Sequence, residues 1–385
     1  MRKIAVFIGN RANYGSIKSV MRALKERDDV KLQTIVGASA LLDRFGSIAS
    51  VIEADGFQVD MTFHSHIEGG TPVTMAKTTG LSLIDTAMIF SNLKPNIVVA
   101  VGDRYEVMAI AVAAAYMNIV LAHTMGGEVS GTIDESIRHA ITKLAHIHLV
   151  ATKDARKRII RMGEDPAHVH AVGCPRIDLV AEELKKDSRT ALQGLFERGG
   201  GVGPTFDLSK PFLLVSQHPV TTEFESSRKQ IESTLHALQK IGMNAIMLWP
   251  NPDAGSDDIS AGIRSFREKH RPKWLHLFRN LPLSDYFHLM NTTACMVGNS
   301  SSAIREGAYI GTPAVNIGTR QTSRPTGVNI IHADCDQGAI VKAIRRQLAA
   351  GKRRMNPIYG DGRAGERIAR ILATTDVGIQ KRIMY

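Results

Sequence analysis

Short apolar runs that end abruptly at charged or small polar residues recur along this chain, and helix-like segments separate them. The run Ile97–Val101 stops at Gly102-Asp103-Arg104, and the next run, at 119–122, stops at His123. Such runs are typical of strands buried in a parallel sheet, while the segments between them have the apolar period of helices. The alternation predicts an α/β fold of βαβ units with right-handed crossovers.

The length of 385 residues suits two domains of roughly 100–200 residues each. Residues 186–210 are polar and rich in glycine, which indicates a linker. We therefore expect a first Rossmann-like domain at 1–185, a second at 211–365, and a C-terminal helix and tail at 366–385 that could pack back on the first. Two doubly wound domains joined in this way would face a cleft, the default ligand site of such folds.

The periodicities also predict individual elements. In the first half we expect strands at 3–9, 32–36, 57–61, 149–152 and 169–172 and helices at 45–54, 75–93 and 153–162, with a glycine-bearing loop at 10–15 and a mobile loop at 64–72. In the second half we expect strands at 211–216, 245–248, 275–277, 294–297 and 314–317, and helices at 225–240, 257–269, 283–291, 300–310, 337–350 and 365–373.

Composition narrows the class of ligand. The chain is 44% apolar and 22% charged, as globular proteins are, and its formal net charge is +11. Such a charge attracts anions, and a phosphorylated small molecule fits better than nucleic acid or a membrane, because no basic arm, zinc-finger spacing or aromatic RNA-binding motif is present. A basic, solvated surface without a specific anionic partner is the alternative interpretation. The cysteines, Cys174, Cys295 and Cys335, are scattered without a CxxC motif, which favours a reducing, cytoplasmic compartment.

Carboxylates collect beside arginines in the stretch at 102–148. Asp103, Glu128 and Asp134 could transfer protons, and Arg104 and Arg138 could hold a phosphate or keep a carboxylate ionised. On a helix that begins at Asp134, the spacing of four puts Arg138 on the same face. Helix capping and dipole pairing by Asp134, without catalysis, is the alternative interpretation.

Three further segments contain candidate ligand-binding groups. The strongest contains Ser300 and Ser301 at a strand-to-helix turn, with Glu306 about two turns into the helix, where its carboxylate could bind ribose hydroxyls; a capped helix with a solvated glutamate is the alternative. His218 directly follows a predicted strand, although a lone histidine is usually structural. Arg11, in the loop that ends at Gly15, could bind phosphate or simply lie at the surface.

Two cofactor signatures are missing. His123, His139, His146 and His148 do not complete a metal-binding pattern of the HExxH kind, so no metal is expected. Gly9 and Gly15 do not form the GxGxxG fingerprint of NAD-binding proteins.

Many ordered motifs resemble one enzyme family. They are GDRYE, HTMGGEVSGTIDESIRHAITKLAH, VGCPRID, QHPVTT, PNPDAGS, GNSSSAIREGAYIGTP, NIGTRQ and IYGDG, and they run from about Arg11 to Gly362. The chain resembles the hydrolysing UDP-N-acetylglucosamine 2-epimerases of sialic acid biosynthesis, above all the epimerase half of the bifunctional epimerase/N-acetylmannosamine kinase. The resemblance implies a fold of the glycosyltransferase-B type, no metal or redox cofactor, a small nucleotide sugar as ligand, and a homo-oligomer, either a dimer or a tetramer.

The resemblance also implies roles for residues. Asp103 and Asp134 match catalytic carboxylates, Arg138 organises them and the diphosphate, and His218 matches a histidine that contacts the diphosphate. The positions that match UDP-binding residues are Arg11, Gly15, Arg104, Asn251, Ser300, Ser301, Glu306 and Arg320. The implied reaction eliminates UDP across C1 and C2 of the sugar to a 2-acetamidoglucal and then adds water, releasing UDP and N-acetylmannosamine.

Two departures and one further match bear on this interpretation. Met125 stands where the family has a glutamate, so Glu128 is an alternative acid, and Asn13 replaces an acid of the first loop. Pro219 after His218 favours the hydrolysing branch, because the reversible epimerases resemble His-Arg at that point. A reversible epimerase, a glycosyltransferase and an inactive nucleotide-sugar sensor are the competing functions.

Overall fold

A computed structural model describes residues 1–42, 48–69, 71–250 and 253–384. Its strands are β1 (Arg2–Ile8), β2 (Val30–Gly37), β3 (Met61–Phe63), β4 (Ile97–Val101), β5 (Val120–Thr124), β6 (Ile147–Val150), β7 (Val169–Ala171), β8 (Leu213–Ser216), β9 (Ala245–Leu248), β10 (Leu275–Phe278), β11 (Cys295–Gly298), β12 (Ala314–Ile317) and β13 (Ile330–Ala333).

The α-helices, again in chain order, are α1 (Arg11–Gly15), α2 (Lys18–Lys25), α3 (Ile48–Ala54), α4 (Pro72–Leu93), α5 (Tyr105–Tyr116), α6 (Asp134–Leu144), α7 (Lys153–Arg161), α8 (Pro175–Glu183), α9 (Ser188–Ala191), α10 (Leu195–Arg198), α11 (Ser227–Ile241), α12 (Ser256–His270), α13 (Leu283–Thr292), α14 (Ser301–Ile304), α15 (Glu306–Ile310), α16 (Gln337–Ala350) and α17 (Ala364–Thr374). No helix of the described ranges is long and apolar enough to cross a membrane.

The strands form two parallel sheets. The first has the order β3-β2-β1-β4-β5-β6-β7 and the second the order β10-β9-β8-β11-β12-β13. In each sheet the chain winds outward from the middle in both directions, so β1 lies beside β4 and β8 lies beside β11. Two doubly wound, Rossmann-like domains were expected, and that prediction is confirmed.

The chain divides into two compact units. Unit 1 comprises 1–128, 134–179 and 360–385, and unit 2 comprises 129–133 and 180–359. The segment expected to be a linker, 186–210, lies in unit 2 and contains α9 and α10. The C-terminal segment lies in unit 1, where α17 packs against α2.

Each sheet is buried by helices on its faces. In unit 1, β4 is buried at every position, and Val98 and Ala100 pack with Val107 and Ile110 of α5. In unit 2, Val215 of β8 belongs to a buried cluster that includes side chains of α11, α12 and α16. Strands covered on both faces need apolar side chains at successive positions, which explains the apolar runs in the sequence.

Several elements differ from the sequence prediction. The loop expected at 10–15 contains α1, the strand expected at 57–61 lies at Met61–Phe63, and α8 and β13 were not predicted. The helix expected at 300–310 is divided into α14 and α15 at Arg305, whose ψ of −71° departs from the α-helical value of about −42°. Residues 45–47 of the helix expected at 45–54 lie outside the described residues, as does residue 70 of the expected loop at 64–72.

Candidate active site

In unit 1 the candidate residues gather where the two halves of the sheet diverge. β1 and β4 are neighbours, and the chain leaves their carboxyl ends toward Arg11 and Asp103 respectively. Ligands of doubly wound sheets bind outside the carboxyl ends of the strands at this point, where loops separate and leave room. The topology therefore places the predicted acid after β4 at the position where a ligand is expected.

Asp103 is held by a buried arginine. The side chain of Arg138, on α6, is 1% exposed, and both its Nε, at 2.9 Å, and its Nη2 donate to Oδ2 of Asp103. Its Nη1 donates to the main-chain oxygen of Glu128 at 2.8 Å. A guanidinium at hydrogen-bond distance favours the charged form of a carboxylate and fixes its orientation. Arg138 thus brings together Asp103 and the loop that carries Glu128.

The other two predicted acids, Glu128 and Asp134, lie six residues apart, before and at the start of α6. Glu128 is buried, and Asp134 opens α6 together with Glu135, so the positive end of that helix lies at two carboxylates. His139, one turn further, lies 3.6 Å from Glu135. Asp134, Glu135 and Arg138 therefore all lie on α6, and Arg138 contacts the carboxylate of Asp103.

A buried histidine holds the turn before Asp103. His123, the penultimate residue of β5, is fully buried, and its Nε2 lies 2.8 Å from the carbonyl oxygen of Gly102, so that nitrogen carries the proton and donates. Its Nδ1 lies 3.3 Å from the hydroxyl of Thr142. Burial lowers the pKa of His123 to about 4, which keeps the ring neutral near pH 7.

Met125 and Asn13, the two positions that depart from the family pattern, both lie close to the end of β4. A Cβ on Gly102 would be 3.8 Å from the Met125 methyl and 3.7 Å from Asn13 Nδ2. Met125 has a φ of +60°, a conformation rare for a non-glycine residue and often found at functional sites.

Asn13 ties the ends of β1 and β4 together. Its Oδ1 accepts from the amide of Gly9 at 3.2 Å, and its Nδ2 donates to the carbonyl of Val101 at 2.9 Å. An aspartate could not donate to that carbonyl, so the asparagine has a structural reason of its own. The sequence shows the exchange but not these contacts, because the hydrogen-bond partners of Asn13 lie four and 88 residues away along the chain.

Unit 1 also contains three of the predicted UDP-binding residues, Arg11, Gly15 and Arg104. Arg11 and Gly15 are the first and last residues of α1, and burial, with a smaller effect from Arg176, lowers the pKa of Arg11. Arg104 precedes α5, and its Nε donates to Oε1 of Glu106 at 2.9 Å. Glu106 is fully buried, so this ion pair anchors the guanidinium stem at the start of α5.

Unit 2 repeats the arrangement at β8 and β11. His218 lies two residues beyond β8 and is 8% exposed, with Nε2 3.3 Å from the hydroxyl of Ser216. Burial lowers the pKa of His218 to about 3; Arg320 lowers it further and Asp253 opposes this. The imidazole is therefore neutral at physiological pH, and acts there as a hydrogen-bonding group rather than a cation.

The serines beyond β11 form a tight turn. Ser300 caps α14, where its Oγ lies 2.8 Å from the hydroxyl of Ser302 and accepts the Ser302 amide at 3.4 Å. Ser301 is the first residue of α14. Glu306 is buried at the first position of α15 rather than two turns into one helix, so both the single helix and the solvated glutamate of the alternative interpretation are wrong.

Arg320 lies beside the same turn. Its Nη1 donates to the carbonyl of Asn299 at 3.4 Å, and its Nη2 lies 4.0 Å from the carboxylate of Asp253. Asn251, the remaining predicted UDP contact, lies outside the described residues. Unit 2 thus brings His218, Ser300 and Arg320 to one end of its sheet, around Asn299.

The histidines considered for a metal take up other contacts. His148 lies 3.0 Å from a carboxylate oxygen of Glu164, and His146 Nε2 lies 3.0 Å from the carbonyl of Ile379. Within the part of the chain that the structure describes, no group of three or more His, Cys, Asp or Glu side chains is arranged to hold a metal ion.

The chain is similar to known proteins over most of its length. Residues 22–373 match the UDP-N-acetylglucosamine 2-epimerase family. The UDP-N,N'-diacetylbacillosamine 2-epimerase (hydrolyzing) of Legionella pneumophila is 33% identical over 97% of this chain and 96% of its own length. The UDP-N-acetylglucosamine 2-epimerase of Neisseria meningitidis serogroup B is 30% identical over 100% and 99%.

A solved structure supports the fold. The crystal structure of the Methanocaldococcus jannaschii UDP-GlcNAc 2-epimerase in complex with UDP-GlcNAc and UDP superposes with a TM-score of 0.81, covering 97% of this chain and 100% of that one at 19% identity. The two-domain fold is therefore of the glycosyltransferase-B type, as expected. Because the family match spans most of the sequence, the chain belongs to the UDP-N-acetylglucosamine 2-epimerase family.

Proposed function

We propose that this protein is a hydrolysing 2-epimerase. It would convert UDP-N-acetylglucosamine, or a close relative such as UDP-N,N'-diacetylbacillosamine, to UDP and the free 2-epimeric sugar. The observation that carries the proposal is the ion pair of Asp103 and buried Arg138 at the carboxyl end of β4, in a member of this epimerase family. A carboxylate oriented and kept charged in this way is suited to proton transfer at a sugar carbon.

The reaction has two steps. In the first, a base removes the proton from C2 while the C1–oxygen bond to UDP breaks, which leaves a 2-acetamidoglucal with a double bond between C1 and C2. In the second, water supplies a hydroxyl to C1, and a proton returns to C2 on the opposite face of the ring. The sum is nucleotide sugar plus water giving UDP plus the 2-epimer.

The predicted site residues would divide this chemistry among them. Asp103 and Asp134, with Glu128 as a third acid, would exchange the protons, and Arg138 would orient Asp103 and the leaving diphosphate. Arg11, Gly15 and Arg104 would contact the nucleotide sugar. Neutral His218 and the hydroxyls of Ser300 and Ser301 would donate to the diphosphate, with Arg320 and Asn251 alongside. Buried Glu306 would accept from ribose hydroxyls.

Two observations favour hydrolysis over reversible epimerisation. Pro219 follows His218 where the reversible enzymes resemble His-Arg, and proline has no charge to hold a second nucleotide sugar. The Legionella relative, named as a hydrolysing enzyme, matches nearly the whole chain. A relative named simply as a UDP-N-acetylglucosamine 2-epimerase also matches throughout, so reversible epimerisation is the second candidate function.

The test is turnover in deuterated water. Purified protein is incubated with UDP-N-acetylglucosamine and, separately, with UDP-N,N'-diacetylbacillosamine, and the products are followed by NMR. We expect deuterium at C2 of a free 2-epimer and one UDP released per sugar. Deuterium at C2 of a sugar that is still attached to UDP would identify the reversible enzyme. Absence of deuterium at C2 with every nucleotide sugar would rule out elimination altogether.

A further inference from the structure

A buried asparagine beyond β11 forms two hydrogen bonds with the backbone of His218. Asn299 is 2% exposed, and its Oδ1 accepts from the amide of His218 at 2.7 Å while its Nδ2 donates to the carbonyl of the same residue at 2.8 Å. Because a backbone amide only donates and a carbonyl only accepts, the orientation of the side chain is unambiguous. One amide therefore pairs both main-chain groups of the histidine.

These hydrogen bonds continue the pairing of β8 and β11 beyond the last residues of the two strands. The parallel ladder of β8 and β11 ends with Ser216 opposite Gly298, and the amide of Asn299 then donates to the carbonyl of Ser216 at 3.1 Å. Gly298 has a φ of +134°, and a Cβ there would lie 2.1 Å from the Ser216 oxygen. Glycine thus allows the close approach that brings the Asn299 side chain within reach of His218.

The main chain of Asn299 is held on its other side. Its carbonyl accepts from Nε2 of Gln321 at 2.9 Å and from Nη1 of Arg320 at 3.4 Å. That carbonyl belongs to the peptide bond that leads into Ser300, the cap of α14. The Asn299 side chain is thus hydrogen-bonded to His218, and its main-chain carbonyl is hydrogen-bonded to Arg320 and Gln321. Asn299 also directly precedes Ser300.

We propose that Asn299 is a positioning residue, which sets the distance between His218 and Ser300 so that both contact one diphosphate. Asn299 itself need not touch the ligand. This inference rests on the proposed function for the identity of the ligand, UDP, but its test needs only UDP binding and no turnover.

The main test replaces the amide and keeps a matched control. Asn299→Ala removes both bonds and leaves the buried His218 amide and carbonyl without this partner, whereas Asn316→Ala removes a buried asparagine, 1% exposed, whose Nδ2 lies 3.1 Å from His332 in the same sheet. By calorimetry we expect the Kd for UDP to rise roughly tenfold or more in Asn299→Ala. The control should stay within about twofold of the unmodified protein.

A double-mutant cycle separates positioning from general loss of structure. If Asn299 acts through His218, Asn299→Ala should weaken UDP binding much less in a His218→Ala background than in the unmodified protein. Should Asn299→Ala fail to fold, Asn299→Asp replaces it in the same cycle, because the carboxylate still accepts the His218 amide. We expect an intermediate loss of affinity from Asn299→Asp.

The outcomes are distinct. Unchanged affinity in Asn299→Ala, equal losses in the two asparagine variants, or strict additivity with His218→Ala would each overturn the positioning role. Failure of the unmodified protein to bind UDP would instead overturn the proposed function. Lack of turnover with normal UDP binding would leave the comparison of Asn299 with Asn316 intact.

Discussion

At the residue scale, the proposed chemistry depends on one charged contact, between Arg138 and Asp103. Arg138 is 1% exposed on its side chain, and its guanidinium nitrogens bond to Asp103 and to the main chain of Glu128. Burying a guanidinium is costly unless each donor has a partner, so the arginine and the aspartate depend on each other. Removal of the aspartate charge should therefore affect both catalysis and stability.

Asp103→Asn should remove turnover while retaining UDP binding. The amide keeps the shape of the side chain but not the charge that attracts the proton, so we expect kcat to fall by about 10²–10⁴-fold. The matched control is Asp29→Asn, since Asp29 also pairs with an arginine, Arg27, but at the surface. Steady-state kinetics measure kcat, and calorimetry measures the affinity for UDP. A kcat within a factor of two of that of the unmodified enzyme would show that Asp103 takes no part in the mechanism.

Acid should destabilise the protein partly through His123. Its pKa is about 4 in the folded state and about 6.5 when unfolded, so between these values the unfolded chain binds a proton that the folded one does not. Stability therefore falls as pH drops below about 6.5, and this residue accounts for about 2 kcal/mol at pH 5.

His123→Gln should reduce that acid sensitivity, because glutamine does not titrate and can still donate to the carbonyl of Gly102. Urea unfolding at pH 7 and pH 5 compares the variant with the unmodified protein. An identical loss of stability in the two proteins would mean that the histidine is not buried in its neutral form.

At the element scale, the pairing of β8 and β11 depends on the backbone conformation of Gly298. Gly298→Ala places a methyl against the Ser216 carbonyl at a positive φ, so we expect a loss of about 3 kcal/mol or more in the unfolding of unit 2. Gly80→Ala, on the exposed face of α4 with no atom within 4 Å of the new methyl, should gain up to about 1 kcal/mol. Chemical denaturation measures the free energy of unfolding of both variants, and effects of the same sign would show that the pairing of β8 and β11 does not require glycine at position 298.

Most helices and strands follow from local pattern, and the exceptions have local causes. The period of apolar residues predicts α16 at its observed bounds, because one face of that helix packs on the sheet. The division at Arg305 is not visible in the pattern, since the apolar and small residues of 301–310 fit one continuous helix. β13 was missed because its side chains are only partly buried, so it lacks a fully apolar run.

At the scale of the whole molecule, unit 1 is completed by the end of the chain. Asp178 accepts from the amides of Ala364 and Gly365, at 2.9 and 2.6 Å, and Ile368 and Leu372 of α17 are fully buried. Contacts between segments almost 200 residues apart make the C-terminus part of the first domain.

A chain that ends at Asp361 should be markedly less stable. It loses the buried face of α17, so we expect the thermal midpoint of unit 1 to fall by roughly 10 °C or more. The double variant Arg363→Ala/Glu366→Ala removes an ion pair of the same segment whose side chains are 70% and 67% exposed, and it should shift the midpoint by no more than about 2 °C. Equal midpoints for the truncated and complete chains, by calorimetry, would show that α17 does not stabilise unit 1. The expected homo-oligomer stays a prediction, for which analytical ultracentrifugation is the measurement.

The sequence alone determined the fold class and the classes of residue at the site. Runs of buried strand residues, helical periods and charged strand ends depend on neighbours along the chain, which is why these could be predicted. Only the tertiary structure decided the pairing of Arg138 with Asp103, of Asn13 with Val101 and of Asn299 with His218. These bonds join residues 35 to 88 positions apart, and the order of strands in each sheet, not any local pattern, brings them together.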